Sequence, residues 1–265
     1  MPDFLKYDFM KNALLAVMIV TPMLGILGTM VVHKKMAYFS DALGHSALTG
    51  IAVGVVFGLS NVNLSMVLFG VVFALLLNQI KIKNLQSVDT LISVFASASL
   101  AAGLAILSKG GNFAQYSALL VGDVLSISKS EIIILFLMFL LVVAYWSFAL
   151  NRLVAISVHP TLAKAGNIKV RLYEDVFAVL IAVIVMLSIR WVGILLINAL
   201  FILPAAAAKN ISRNMQEYHV YTILISFFSG VVGLVASYYT DVATGPMIVL
   251  YAAVIYAATY LYGKE

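Results

Sequence analysis

The sequence contains no cysteine among its 265 residues. This absence excludes disulfide bonds, metal sites built from thiolates and catalysis by a nucleophilic thiol. A metal ion bound by this chain must therefore take its ligands from aspartate, glutamate, histidine, methionine or backbone oxygen.

Charged residues are also scarce: they make up 10% of the chain, whereas 63% of the residues are hydrophobic and the mean hydropathy is +1.08. Soluble domains carry about 25% charged residues, so the composition indicates an integral membrane protein. The 16 Lys and Arg exceed the 11 Asp and Glu by five charges. Membrane proteins concentrate such cations in cytoplasmic loops, so the excess does not indicate nucleic acid, and we predict no nucleic-acid partner.

The signatures of common catalytic sites are missing as well. The sequence has no G-x-x-x-x-G-K-[ST] phosphate-binding loop, no G-x-S-x-G and no H-E-x-x-H. We therefore predict that the chain is not an enzyme and that any ATP hydrolysis linked to it belongs to a separate subunit.

Long apolar runs recur along the whole chain, and a transmembrane helix needs about 20 such residues. No polar stretch between them is long enough for a separate soluble domain, so residues 1–265 are predicted to form one domain. The fold class is all-α: a polytopic membrane bundle of eight or nine transmembrane helices, because the split near Arg190 decides the count. The predicted spans are 12–32, 42–59, 63–80, 90–108, 131–150, 175–190, 191–208, 219–238 and 246–262.

The distribution of cations predicts the orientation of the bundle. With the loop that contains Lys34 and Lys35 in the cytoplasm, 11 Lys and Arg lie inside and 5 lie outside. This distribution favours an external N-terminus and an internal C-terminus.

Two connecting segments carry helix signals of their own. The half-apolar segment 108–131 predicts a short re-entrant helix at about 115–123. In segment 157–174, Pro160 suits the first position of a helix and Gly166 its C-terminal cap. We predict a short helix there, lying at the cytoplasmic face.

The stretch AYFSDALGHSALTG places Asp41 and His45 four residues apart in an otherwise apolar part of the chain. On a helix, Asp41, His45 and Thr49 lie along one face and form a polar stripe. The neighbouring face carries small residues at intervals of four, which lets another helix approach closely. These small residues are Ala42, Ser46, Gly50, Gly54 and Gly58.

Asp41 and His45 can share one divalent cation, and an oxygen with a nitrogen suits Zn²⁺, Mn²⁺ or Fe²⁺ rather than Cu⁺. Two ligands are too few for a closed structural site, but they suit an ion that must leave again. A purely structural hydrogen bond between the two side chains is the alternative. Ionisable residues within a membrane are functional by default, which favours the metal site.

The other histidines, and the two residues Asn198 and Pro204 within the seventh predicted span, are weaker candidates for a functional role. His33, His159 and His219 lie in or beside predicted cytoplasmic loops, where a solvated or interfacial role is expected. Asn198 is expected to serve ordinary packing, and Pro204 is expected to kink its helix because it removes a backbone hydrogen bond.

Five blocks of sequence together resemble the zinc/manganese-type permeases of bacterial ABC importers. They occur in the order of that family and cover the chain nearly end to end. The blocks are KKMAYFSDALGHSALTGIAVG, LLVGDVLSIS, SVHPTLAKAG, WVGILLINALFILPAAAAKNISRN and YYTDVATGPMIVL.

The resemblance implies a multi-pass subunit of the bacterial cytoplasmic membrane, whose substrate is Zn²⁺ or Mn²⁺ and which holds no permanent cofactor. It implies a channel of two permease subunits, predicted here as a homodimer. Each subunit would rest on a cytoplasmic ABC ATPase and receive metal from an extracellular metal-binding lipoprotein.

The resemblance also implies roles for individual residues of this chain. Asp41 and His45 match the D-x-x-x-H with which the family holds the ion in the membrane. The segment with Pro160, Leu162, Ala163 and Gly166 matches the coupling segment that docks on the ATPase. Two further matches have no assigned role, and the sequence leaves the functions of Asp123, Asn198 and Asp241 open. These matches are Gly122 with Asp123, and Asp241 with Gly245 and Pro246, the last three in what we expect to be an external turn.

The identity of the ion and two other function classes stay open at the level of sequence. Ser97 stands where some zinc-type members carry histidine, a weak hint of manganese. A proton-coupled secondary transporter that uses Asp41 and His45 is the main alternative, but it should show inverted repeats, and we find none. An intramembrane metal hydrolase needs three protein ligands and a general base, for which the membrane segments offer too few ionisable residues.

Overall fold

The computed structural model describes residues 6–59, 61–83, 88–109, 116 and 122–263. Within these ranges the chain is helical and contains no strand. The helices are α1 (Asp8–His33), α2 (Ala37–Val56), α3 (Val62–Lys83), α4 (Val88–Lys109), α5 (Lys129–Val158), α6 (Pro160–Ala165), α7 (Val170–Val192), α8 (Ile194–Ile211), α9 (Met215–Thr240) and α10 (Thr244–Tyr262). The all-α prediction is therefore confirmed.

Eight of the described helices are long and apolar enough to cross a membrane, and α8 is a shorter apolar helix. Each predicted span coincides with one helix. The uncertain boundary between the sixth and seventh spans falls at Gly193, whose φ of +90° breaks the helix between α7 and α8. Glycine suits this position because its missing side chain permits a positive φ.

Backbone conformation and capping side chains account for several of the other helix ends. Lys35, at φ +55°, separates α1 from α2, and Asp241, at φ +53°, ends α9 in the turn that the sequence predicts. Ser128 and Glu131 form a reciprocal capping box at the start of α5. The re-entrant helix predicted at 115–123 lies largely outside the described residues, and its last two residues, Gly122 and Asp123, are not helical.

Helices α1 and α2 are the most buried, whereas α5 and α10 lie on the outside of the bundle. Helix α2 packs between α3 and α4, and α1 packs against α5, α8 and α9. Helices α7 and α8 both contact α2 and so connect these two groups. The N-terminal half of α2 therefore meets the start of α8.

The predicted close approach along the small face of α2 is confirmed against α3. A Cβ added to Gly50 would lie 2.8 Å from the Met66 Cα, and one added to Gly54 would lie 2.8 Å from the Ser65 Cβ. The Ser65 hydroxyl donates to the Gly50 carbonyl oxygen at 2.7 Å. The face is shorter than predicted, because Gly58 lies beyond the end of α2 with nothing within 4 Å of its added Cβ.

Candidate metal site

Helix α2 places Asp41 and His45 side by side, as their spacing predicts. The His45 Nε2 lies 3.6 Å from the Asp41 Oδ1, and the two side chains are 31% and 44% exposed. This distance exceeds that of a hydrogen bond, so the structure shows no direct Asp–His hydrogen bond. The pair is half-exposed rather than enclosed in the bundle, and an ion can reach it from outside the chain.

Asn198 also belongs to this group, which the sequence analysis missed when it assigned the residue to ordinary packing. Its Nδ2 donates to the Asp41 Oδ1 at 3.3 Å, and the Ser40 hydroxyl donates to its Oδ1 at 2.5 Å. Asn198 lies on α8, 157 positions along the chain from Asp41. The only sequence signal was an amide inside an apolar span.

Thr49 lies along the same helix as the pair but is bonded to a different neighbour. It is buried, its hydroxyl donates to the Ser99 carbonyl oxygen on α4, and the Ser99 hydroxyl lies 3.0 Å away. A Cβ added to Gly103 of α4 would come within 2.7 Å of the Thr49 nitrogen, so the two backbones are in close contact. The residues of the predicted polar stripe therefore contact different helices, and Thr49 joins α2 to α4.

The metal-binding capacity of one chain is limited. Among the residues that the structure describes, no group of three or more His, Cys, Asp and Glu side chains could hold an ion together. Asp41 and His45 thus offer one carboxylate and one imidazole per chain. Such a pair suits a transient site better than a closed structural one.

The short helix predicted around Pro160 is present as α6. His159 caps its start, with Nδ1 accepting from the Leu162 amide at 3.4 Å, Pro160 occupies the first turn, and Gly166 is the C-terminal cap. The side chains divide between two directions: Leu162 is 68% exposed, whereas Ala163 is 5% exposed. Of the four residues predicted to couple to an ATPase, Leu162 is therefore available to a partner and Ala163 packs inward.

His219 lies beside a connecting segment, as the sequence predicts, but its ring is partly buried rather than solvated. It lies in the second turn of α9, partly buried, with its ring centroid 5.6 Å from that of Trp146 on α5. Its Nδ1 lies 2.6 Å from the Met215 carbonyl oxygen, and its Nε2 is buried. It is separate from the Asp41–His45 pair and has a packing role between α5 and α9. His33 is the last residue of α1, as expected of a position at a helix end.

Asp123 lies in a tight crossing of two backbone segments. Its carboxylate accepts from the Leu125 amide at 3.0 Å, and its own amide donates to the Arg190 carbonyl oxygen at 3.3 Å. A Cβ added to the preceding Gly122 would lie 2.3 Å from the Gly193 nitrogen. This crossing fixes the break between α7 and α8, and with it the point at which α8 begins.

A buried ion pair is the second feature that the sequence analysis missed. The Lys34 ammonium binds the Glu174 carboxylate, and these side chains are only 4% and 10% exposed. Lys34 also lies 5.4 Å from the centre of the Phe177 ring. Lys34, which was counted only as a cation of a cytoplasmic loop, thus joins the turn before α2 to helix α7.

Comparisons with known proteins agree with this architecture. The family model of the ABC 3 transport family matches residues 6–263. The chain is 29% identical to the high-affinity zinc uptake system membrane protein ZnuB of Haemophilus influenzae, over 98% of this chain and 99% of that protein. It is 25% identical to the manganese transport system membrane protein MntC of Listeria innocua, over 98% of this chain and 93% of that protein.

A solved structure has the same arrangement of helices. It is that of PsaBC from Streptococcus pneumoniae in complex with Fab, with a TM-score of 0.84 and 25% sequence identity over 97% of this chain and 92% of the matched chain. The bundle is thus shared from end to end. Because the family model spans nearly the whole sequence, this multi-pass membrane protein belongs to the ABC 3 transport family.

Proposed function

We propose that the chain is the permease subunit of an ATP-binding-cassette importer for divalent transition metal ions, with Zn²⁺, Mn²⁺ or Fe²⁺ as substrate. Family membership supports the ATP-driven mechanism. The observation that supports a metal substrate is the partly exposed carboxylate–imidazole pair on α2, beside which the described part of the chain offers no third His, Asp or Glu ligand to retain an ion. The bacterial cytoplasmic membrane is the location that this role requires.

Two copies of the chain would complete the channel. Among the described residues of one chain, α6 is the one short helix of the coupling type, and it can engage one ATPase. A homodimer would therefore bind two ATPases. Two Asp41–His45 pairs would also supply four ligands, a number that matches the tetrahedral preference of Zn²⁺. An extracellular metal-binding lipoprotein would deliver the ion.

The source of energy distinguishes this proposal from a proton-coupled transporter that uses the same pair. We expect proteoliposomes with the chain, its ATPase and its binding protein to take up radiolabelled Mn²⁺ or Zn²⁺ only when ATP is supplied. Competition between the two ions would identify the preferred substrate. Uptake driven by a proton gradient without ATP would instead support the secondary transporter.

The exposed side chain of α6 provides a test of coupling. Leu162→Glu puts a charge where we expect an apolar contact with the ATPase, so ATPase association and metal uptake should both fall by about tenfold or more. A tenfold fall in association corresponds to about 1.4 kcal/mol, and burying an unpaired charge at an apolar contact costs more than that. Co-purification of the ATPase measures the association.

Lys164→Glu is a matched control, because it changes a charged side chain of the same helix without replacing the apolar contact. If the Leu162→Glu chain retains its ATPase and transports as well as the wild-type chain, then α6 is not the coupling segment.

A further inference from the structure

The amide of Asn198 is the middle member of a hydrogen-bond chain that crosses between two helices, from Ser40 through Asn198 to Asp41. Ser40 and Asp41 are consecutive residues near the start of α2, and both bond to the same side chain on α8. The start of α8 lies beside α2 at this level, in ordinary van der Waals contact: a Cβ added to Gly44 would lie 3.6 Å from the Ile194 carbonyl oxygen. Asn198 follows Ile194 by about one helical turn and so lies beside Asp41.

The direction of the chain follows from the chemistry of its ends. An ionised carboxylate only accepts hydrogen bonds, so the group of Asn198 that faces Asp41 must be its NH₂. The amide oxygen then faces Ser40 at 2.5 Å, a contact that requires the serine proton. The Ala37 carbonyl oxygen, 2.9 Å from the same hydroxyl, competes for that proton. If the serine proton pointed to Ala37, the Ser40 and Asn198 oxygens would lie 2.5 Å apart without a hydrogen between them.

We propose that Asn198 is a positioning residue for metal binding, which holds the Asp41 carboxylate in the orientation that accepts the ion. This inference rests on the proposed function. Asn198 donates its hydrogen bond to the Asp41 Oδ1, which is also the oxygen that lies 3.6 Å from the His45 Nε2. A carboxylate restrained in this way keeps its other oxygen for the cation and does not swing into a direct hydrogen bond with His45. Groups that restrain a metal ligand in this way typically change metal affinity or activity by about 10–100-fold when mutated.

The test is the metal concentration for half-maximal uptake by the full complex, measured with Mn²⁺ and with Zn²⁺. Asn198→Ala should raise this concentration about tenfold for whichever ion is carried. Asn210→Ala is the matched control, because Asn210 is also on α8 and also donates one hydrogen bond to a neighbouring helix, to Thr259 at 3.3 Å. That control should leave the concentration unchanged.

A double-mutant cycle separates positioning from simple loss of packing. Ser40 acts on Asp41 through the amide, so Ser40→Ala should have a smaller effect than Asn198→Ala and no added effect in the Asn198→Ala chain. Multiplied effects in the double variant, or an Asn198→Ala chain that behaves like Asn210→Ala, would overturn the positioning role.

Three further outcomes are distinguishable. If Asn198→Ala does not assemble, Ser40→Ala alone decides: a raised half-maximal concentration supports the positioning role, and an unchanged one overturns it. A wild-type complex that takes up none of Mn²⁺, Zn²⁺ and Fe²⁺ overturns the proposed function, and the positioning role with it. Wild-type uptake with an unchanged Asn198→Ala chain overturns the positioning role alone.

Discussion

Replacing Asp41 by asparagine is expected to abolish metal uptake while the helical bundle stays folded. The substitution keeps the shape of the side chain but removes the negative charge that offsets the cost of taking a divalent cation out of water. His45→Ala should have the same effect, because it removes the nitrogen ligand, and alanine is well tolerated in a helix. Uptake of radiolabelled Mn²⁺ or Zn²⁺ by proteoliposomes measures the loss.

Thermal stability measured alongside uptake separates this role from a structural one. Asp41 and His45 are partly exposed and 3.6 Å apart, so their loss should change the melting temperature little. Asp8→Asn is the control, because Asp8 is a highly exposed carboxylate in the first turn of α1, and it should transport normally. Robust uptake by the Asp41→Asn chain would defeat the metal-site hypothesis.

Neutralising Glu174 is expected to destabilise the subunit more than any surface change. Glu174→Gln removes the charge that compensates the buried Lys34 ammonium, and breaking one partner of such a pair costs about 3–5 kcal/mol. The nearby Phe177 ring attracts the cation but does not replace a carboxylate, because cation–π contacts are worth about 0.5–2 kcal/mol. Chemical denaturation in detergent measures the free energy of unfolding.

Removing both charges together should be much less harmful. A Lys34→Met, Glu174→Leu chain leaves no unpaired charge of this pair in the bundle, and apolar replacements of buried ion pairs are often neutral or stabilising. Asp8→Asn again serves as the control, because it breaks the exposed pair with Lys11, and exposed pairs contribute little. If Glu174→Gln unfolds at the same denaturant concentration as Asp8→Asn, the pair does not stabilise the fold.

The site was predicted only in part, and the difference lies in sequence separation. Asp41 and His45 are four residues apart on one helix, so local geometry alone brings them together. Asn198 lies 157 residues from Asp41 and Glu174 lies 140 residues from Lys34. In a single sequence neither residue carries a sign of its partner.

Local features of the sequence were enough to predict the helical spans, the short helix at Pro160 and the adjacency of Asp41 and His45. The length of apolar runs, a proline with a following glycine and the helical period are all local properties, and local backbone geometry converts them directly into structure. The orientation of the bundle, which rests on the distribution of cations, and the homodimer, which rests on the family resemblance, stay predictions.

The neighbours that each polar side chain contacts depend on how the helices pack in the tertiary structure. Thr49 bonds to α4 while Asp41, on the same helix, bonds to α8, and Ala163 turns inward beside the exposed Leu162. These outcomes depend on where α4, α8 and the other helices pack, and close glycine contacts such as that of Gly122 with Gly193 set those positions. Helix packing joins residues that are far apart in the chain, whereas periodicity describes only residues within a few turns of one another.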